Sequence, residues 1–237
     1  MTGHGNRPTR SLITDPGFAA SLFKGQAAAM VMSDEARAAS LAATLAAHPK
    51  PGAHGGDVFV FACGSLMWNP FIEFVERIPA RTVGYRRSLC LSSDVGRGTA
   101  ELPGLMFGME PGGSAVGFAL RIAADKVAHE LEVLWRLEMI SNAYAPRWLA
   151  IRMGGERAHA VAFVINKAHP RYAGGLDFTT VVERVATARG SFGTCYEYVS
   201  RAHEALAAAG MRDRPLEQVV TAARARMAAS AGTGEPD

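Results

Sequence analysis

Cysteine is scarce in this chain: Cys63, Cys90 and Cys195 are the three among 237 residues. They are odd in number, far apart and form no C-x-x-C pair, so they supply neither a disulfide framework nor zinc-ligand spacing. Such usage fits a reducing, cytoplasmic setting. The histidines contain no H-E-x-x-H, and Ala202-His203-Glu204-Ala205 only opens like one, so metal chemistry has no support. Long apolar runs are also missing: the densest early one, Ala27 to Met32, falls far short of the roughly 18 residues of a membrane span. The amino-terminal stretch lacks a signal peptide's order of basic end, apolar centre and small-residue cleavage site. Nor is there an excess of one charge: 25 basic against 22 acidic residues leave +3, no footprint for nucleic acid. Arginine supplies 21 of those 25 basic residues, an excess that GC-rich coding produces without any partner.

What is present can bury a core. The chain is 49% hydrophobic and 20% charged, with a mean hydropathy of +0.05, and its length suits one sizeable domain with trimmings. Residues 1–56 read as an extension: a stretch to residue 32 rich in Gly, Pro and Arg, expected as an ordered arm or a mobile tail, a helix from Ser33 or Asp34 to about His48, and a linker at Pro49, Pro51, Gly52, Gly55 and Gly56. The main domain spans residues 57–228, and 229–237 form a small, polar tail. Val58 to Cys63 is a continuous apolar run, as in a strand buried on both faces. Further strands are expected at Arg81–Leu91, Ala115–Ile122, Trp148–Met153 and His159–Ile165, with a hairpin turn at Gly112-Gly113-Ser114. A long loop, Ser92 to Gly104, lies between the first two, and loops of that length are often functional. Helical patterns occupy Ala124–Met139, Thr179–Arg189, Thr194–Ala209 and Arg214–Ala228, the third opening on a Thr194/Glu197 capping box. Strands come early and helices late without strict alternation, which favours an α+β class.

The most informative residue is Glu138. At about 100° per residue, Val127, Leu131, Leu134 and Trp135 form one apolar stripe, and Glu138 falls about 10° from its middle. Glu132 points away from the stripe and Glu130 sits at its margin. A carboxyl turned inward has its pKa raised by burial and can serve as base and then acid. Position alone also admits a blander reading, in which Glu138 pairs with an Arg or the helix ends early and leaves it solvated.

Gly64-Ser65-Leu66, after the first strand, either presents backbone N–H groups to an anion or makes an ordinary turn. It is not a nucleophile elbow, because G-x-S-x-G is absent, nor a phosphate loop, because no G-K-[ST] follows. Cys63 at a strand end is more often a small hydrophobe than a nucleophile. Trp68, Trp135 and Trp148 read as packing residues.

Six ordered blocks together resemble the ChaC-type γ-glutamylcyclotransferase family. They are Val60 to Pro70; Gly84-Tyr85-Arg86-Arg87; Ser92-Ser93 with Arg97 to Gly104; Leu134 to Met139 with Tyr144 to Trp148; Ala162 to Ile165 with His169-Pro170-Arg171-Tyr172; and Gly190 to Gly193 with Glu197-Tyr198. The resemblance runs from about Val58 to about Val220. It implies a mixed barrel-like β-sheet with flanking helices, no cofactor or metal, and a lyase that releases 5-oxoproline from a γ-glutamyl compound, chiefly glutathione. Glu138 matches the family's catalytic glutamate, and Gly64, Ser65 and Leu66 match the loop that binds the γ-glutamyl group. Arg97 either recognises a substrate carboxylate or stabilises its loop; Tyr198 either turns its hydroxyl into the pocket or packs. Two positions depart from the family pattern: Cys63 stands where a Tyr is usual, and Leu137 where many relatives carry a basic residue. A cyclotransferase for another γ-glutamyl amide and a non-catalytic γ-glutamyl-binding module are the alternatives. The implied partner is a small molecule, with no nucleic acid or membrane, and the sequence carries no signal for oligomeric state.

Overall fold

The structure, a computed structural model, describes residues 9–23 and 30–232. The first residues of the arm, residues 24–29 and the last five of the tail lie outside the described residues. Five strands close a barrel in the order β1-β3-β2-β4-β5: β1 Val58–Ala62, β2 Glu76–Ser93, β3 Gly104–Ile122, β4 Tyr144–Met153 and β5 Glu156–Ile165. β1 lies between β3, its antiparallel partner, and β5, its parallel one, and all five of its residues are buried. That placement is why its sequence is apolar throughout rather than alternating.

The expected α+β, barrel-like sheet with flanking helices is present, with one strand read wrongly. Gly112-Gly113-Ser114 is not a hairpin turn, because β3 runs straight through it from Gly104. Gly112 and Gly113, with φ of 95° and 74°, sit opposite Gly84, with φ of 95°, and the register of β2 against β3 slips there. Three left-handed glycines thus make a bulge that bends a long ribbon. The reversal between β2 and β3 lies instead in the loop 94–103.

Around the barrel pack α1 Arg10–Thr14, α2 Phe18–Leu22, α3 Asp34–Ala46, α4 Val127–Glu138, α5 Phe178–Thr187, α6 Cys195–Ala208 and α7 Arg214–Gly232, with a short β6–β7 pair at Arg189–Gly190 and Gly193–Thr194. α3 is N-capped by Ser33, and α6 carries the full Thr194/Glu197 capping box. α7 continues to Gly232, past the Ala228 at which the sequence pattern ends it, because its alanine-rich end favours helix. The first helices are an ordered strap. Ile13, Phe18 and Phe23 are buried in the main core, and Arg10 grips Glu130 of α4 with two bonds of 2.6 and 2.8 Å. No helix among the described residues is long and apolar enough to cross a membrane.

Candidate active site

At the end of β1 the chain turns through Cys63-Gly64 into a single 3-10 turn, Ser65–Met67. Amides of Met67, Trp68 and Asn69 close it on the carbonyls of Gly64 and Ser65. The N–H groups of Ser65 and Leu66 have no partner among the described residues, so two backbone donors remain for an anion or a polarised carbonyl. Arg87, its side chain 3% exposed, braces this turn: Nε donates to the Cys63 carbonyl at 2.7 Å, and Nη1 pairs with Asp213.

α4 delivers Glu138 to the same place. Leu131, Leu134 and Trp135 bury its apolar face as their spacing dictates. Glu138, the helix's last residue, projects from that face into a cavity of about 180 Å³. No side-chain hydrogen bond or ion pair reaches it among the described residues, and burial pushes its carboxyl up to about 7. Glu138 is therefore not a paired acid, and the helix reaches it rather than ending earlier.

Gly64, Ser65, Leu66, Arg97, Glu138 and Tyr198 all line this cavity, so the structure gathers every site residue that the sequence singles out. The surroundings of Tyr198 and Arg97 differ. The Tyr198 hydroxyl accepts from the Phe107 N–H at 3.2 Å and donates to nothing among the described residues. A Cβ on Gly64 would lie 3.6 Å from that oxygen. Burial keeps the phenol neutral, with its pKa pushed up, so Tyr198 has a proton to donate into the cavity. Arg97 lies on the wall but spends Nη1 on the carbonyls of Phe192 and Thr194 and stacks over the Tyr198 ring at 5.3 Å. It ties the 94–103 loop to the segment ahead of α6.

Three lining features carried no individual signal in the sequence. Tyr144 donates to the Phe107 carbonyl at 2.7 Å, and burial pushes its pKa well up. Arg171 is a second cation on the wall. Leu22 and Phe23, at the end of the strap, form part of the cavity wall. The first two fall within the resembling blocks, whereas the strap lies outside them. Cys63 is also on the wall, and burial raises its thiol to about 11, so it is protonated near neutrality.

A closed five-strand mixed barrel with a proton-holding acid set in its mouth beside a Gly-Ser turn places this protein in the γ-glutamylcyclotransferase fold class. A yeast γ-glutamyl cyclotransferase specific to glutathione superposes with a TM-score of 0.66 at 17% identity, over 71% of this chain and 96% of the yeast one. The ChaC-like protein family model matches residues 58–226. The glutathione-specific γ-glutamylcyclotransferase of Escherichia coli K12 is 36% identical over 84% of this chain and 85% of its own. A Schizosaccharomyces pombe protein of the same description is 26% identical over 61% of this chain and 80% of its own. The chain belongs to the ChaC-like family.

Proposed function

We propose that this protein is a γ-glutamylcyclotransferase that degrades glutathione to 5-oxoproline and Cys-Gly. The observation that carries the reading is Glu138, an unpaired acid poised near neutrality in the cavity that holds the Gly64–Leu66 turn. The substrate supplies its own nucleophile, so proximity within the cavity replaces an enzyme nucleophile. Glu138 takes a proton from the α-ammonium, and the freed amine attacks the γ-carbonyl carbon. The N–H groups of Ser65 and Leu66 and the Tyr198 hydroxyl are placed to hold the carboxylate and the oxygen on which charge builds. Glu138 passes that proton to the cysteinyl nitrogen as its bond to the γ-carbon breaks, and the second proton shed by the attacking nitrogen, which becomes the lactam N–H, follows it to leave Cys-Gly as its ammonium. No water is consumed.

The reading extends to the chain's organisation: 57–228 is the catalytic body, 1–56 an extension whose strap forms part of the cavity wall, and 229–237 a tail. Its partner is a small γ-glutamyl compound rather than nucleic acid or membrane. Cys63, Cys90 and Cys195 are free, which suits the reducing cytoplasm where glutathione is abundant.

The test is a product assay on purified protein with glutathione beside a panel of γ-glutamyl amides. Equimolar 5-oxoproline and Cys-Gly, with glutathione the best substrate, is the expected result. Free glutamate in place of 5-oxoproline, or no turnover of any panel member, contradicts it.

A further inference from the structure

The cavity wall carries two arginines, and they are used differently. Arg97 is committed to carbonyls of its own chain, as described above. Arg171 is held in place but keeps donors in reserve. Its backbone N–H donates to His169 Nδ1 at 3.1 Å, its carbonyl accepts from the Ser92 N–H at 2.8 Å, and its Nε donates to the Ser92 carbonyl at 2.9 Å. The guanidinium lies over the ring of Phe23 from the strap, 5.5 Å from its centroid, and the side chain is 15% exposed. Asp94 stands 3.7 Å away, on the Nε side. The guanidinium is thus ion-paired with Asp94, but neither Nη1 nor Nη2 makes a hydrogen bond among the described residues. The result is a fork fixed at its root and at its face, with two nitrogens open to a ligand and little rotamer freedom left to lose.

Arg171, Tyr144 and Glu138 line one and the same cavity. The proposed chemistry occupies the Glu138 side with the ammonium and the γ-carbonyl. A γ-glutamyl peptide has a further charge that the ring closure does not use, the carboxylate at its distal end.

We propose that Arg171 receives that distal carboxylate and so determines specificity, favouring γ-glutamyl peptides with a free C-terminus over neutral γ-glutamyl amides. This rests on the cyclotransferase reading above. Arg171 does not touch the reacting atoms, and its effect falls on KM rather than kcat.

The experiment compares glutathione with its glycinamide analogue, which differs only in a neutral distal end, on wild-type protein and on Arg171→Gln and Arg171→Lys. Wild type should show a KM for the amide higher by about tenfold or more, the scale of a lost charge-assisted bond. Arg171→Gln should raise the glutathione KM to the level of the amide with kcat within about twofold, and Arg171→Lys should recover part of the preference. The acid-to-amide ratio is read within each variant, so partial unfolding does not distort it. Wild type without the preference, or Arg171→Gln retaining it in full, overturns the proposal. Wild type releasing 5-oxoproline from neither substrate overturns the cyclotransferase reading itself, and this inference with it.

Discussion

Two glutamates of one helix show what environment does to a side chain. Glu130 is fully buried; desolvation pushes its carboxyl upward, but Arg10 and the Glu73 amide outweigh that and hold it below the usual range. Glu138 has desolvation alone and rises to about 7. A raised carboxyl stabilises the fold below its unfolded pKa and loses that contribution as pH climbs through the folded value. Glu138→Gln should therefore be the more stable protein at pH 8 by roughly 1–3 kcal/mol, with the gap closing below about pH 5. Urea unfolding at both pH values checks this, and equal stabilities at pH 8 would mean that the carboxyl is solvated. The inward direction of Glu138 was legible in its angle to Val127, Leu131, Leu134 and Trp135. The burial of Glu130 was not, because it depends on Arg10, 120 positions earlier in the chain, which no periodicity within a helix reveals.

At the scale of elements, the loop 94–103 is built by backbone meeting backbone. A Cβ on Gly98 would come within 2.1 Å of the Gly104 nitrogen, and one on Gly104 within 2.2 Å of the Arg97 carbonyl oxygen. Neither obstacle is a flexible side-chain end, so Gly98→Ala must displace the loop that carries Arg97. The variant should lose most of its 5-oxoproline release, at least about tenfold in kcat/KM, while the barrel stays folded by far-UV circular dichroism. Unchanged kinetics would remove this loop from the site. Strand existence was readable here, but extent was not. The two glycines inside β3 carry the local signature of a turn, and only pairing with Gly84 across the ribbon converts them into a bulge. Capping, by contrast, is local chemistry, and the Thr194/Glu197 box announced the start of α6 without tertiary context.

At the scale of the molecule, the strap joins the chain's beginning to both its stability and its cavity. Arg10, 32% exposed, covers a Glu130 side chain that is 1% exposed. Removing the cation leaves a buried carboxylate facing only the Glu73 amide, so Arg10→Ala should cost roughly 2–4 kcal/mol, read as a lower urea midpoint with the slope unchanged. A variant as stable as wild type would show that the strap adds nothing to the fold. Phe23, a few residues on, lines the cavity. Composition gave no hint of this: the Gly-, Pro- and Arg-rich opening reads as an arm or tail until its Ile13 and Phe18 meet the core.

The account turns on one proton carrier in one cavity, and the direct measurement is 5-oxoproline release by wild type and Glu138→Gln across pH. Wild type should lose kcat/KM by about tenfold per unit as pH falls below about 7, and Glu138→Gln, with its fold intact, should be slower by at least about a thousandfold at pH 8, the gap narrowing as pH falls. A glutamine variant within a few-fold of wild type would contradict the mechanism.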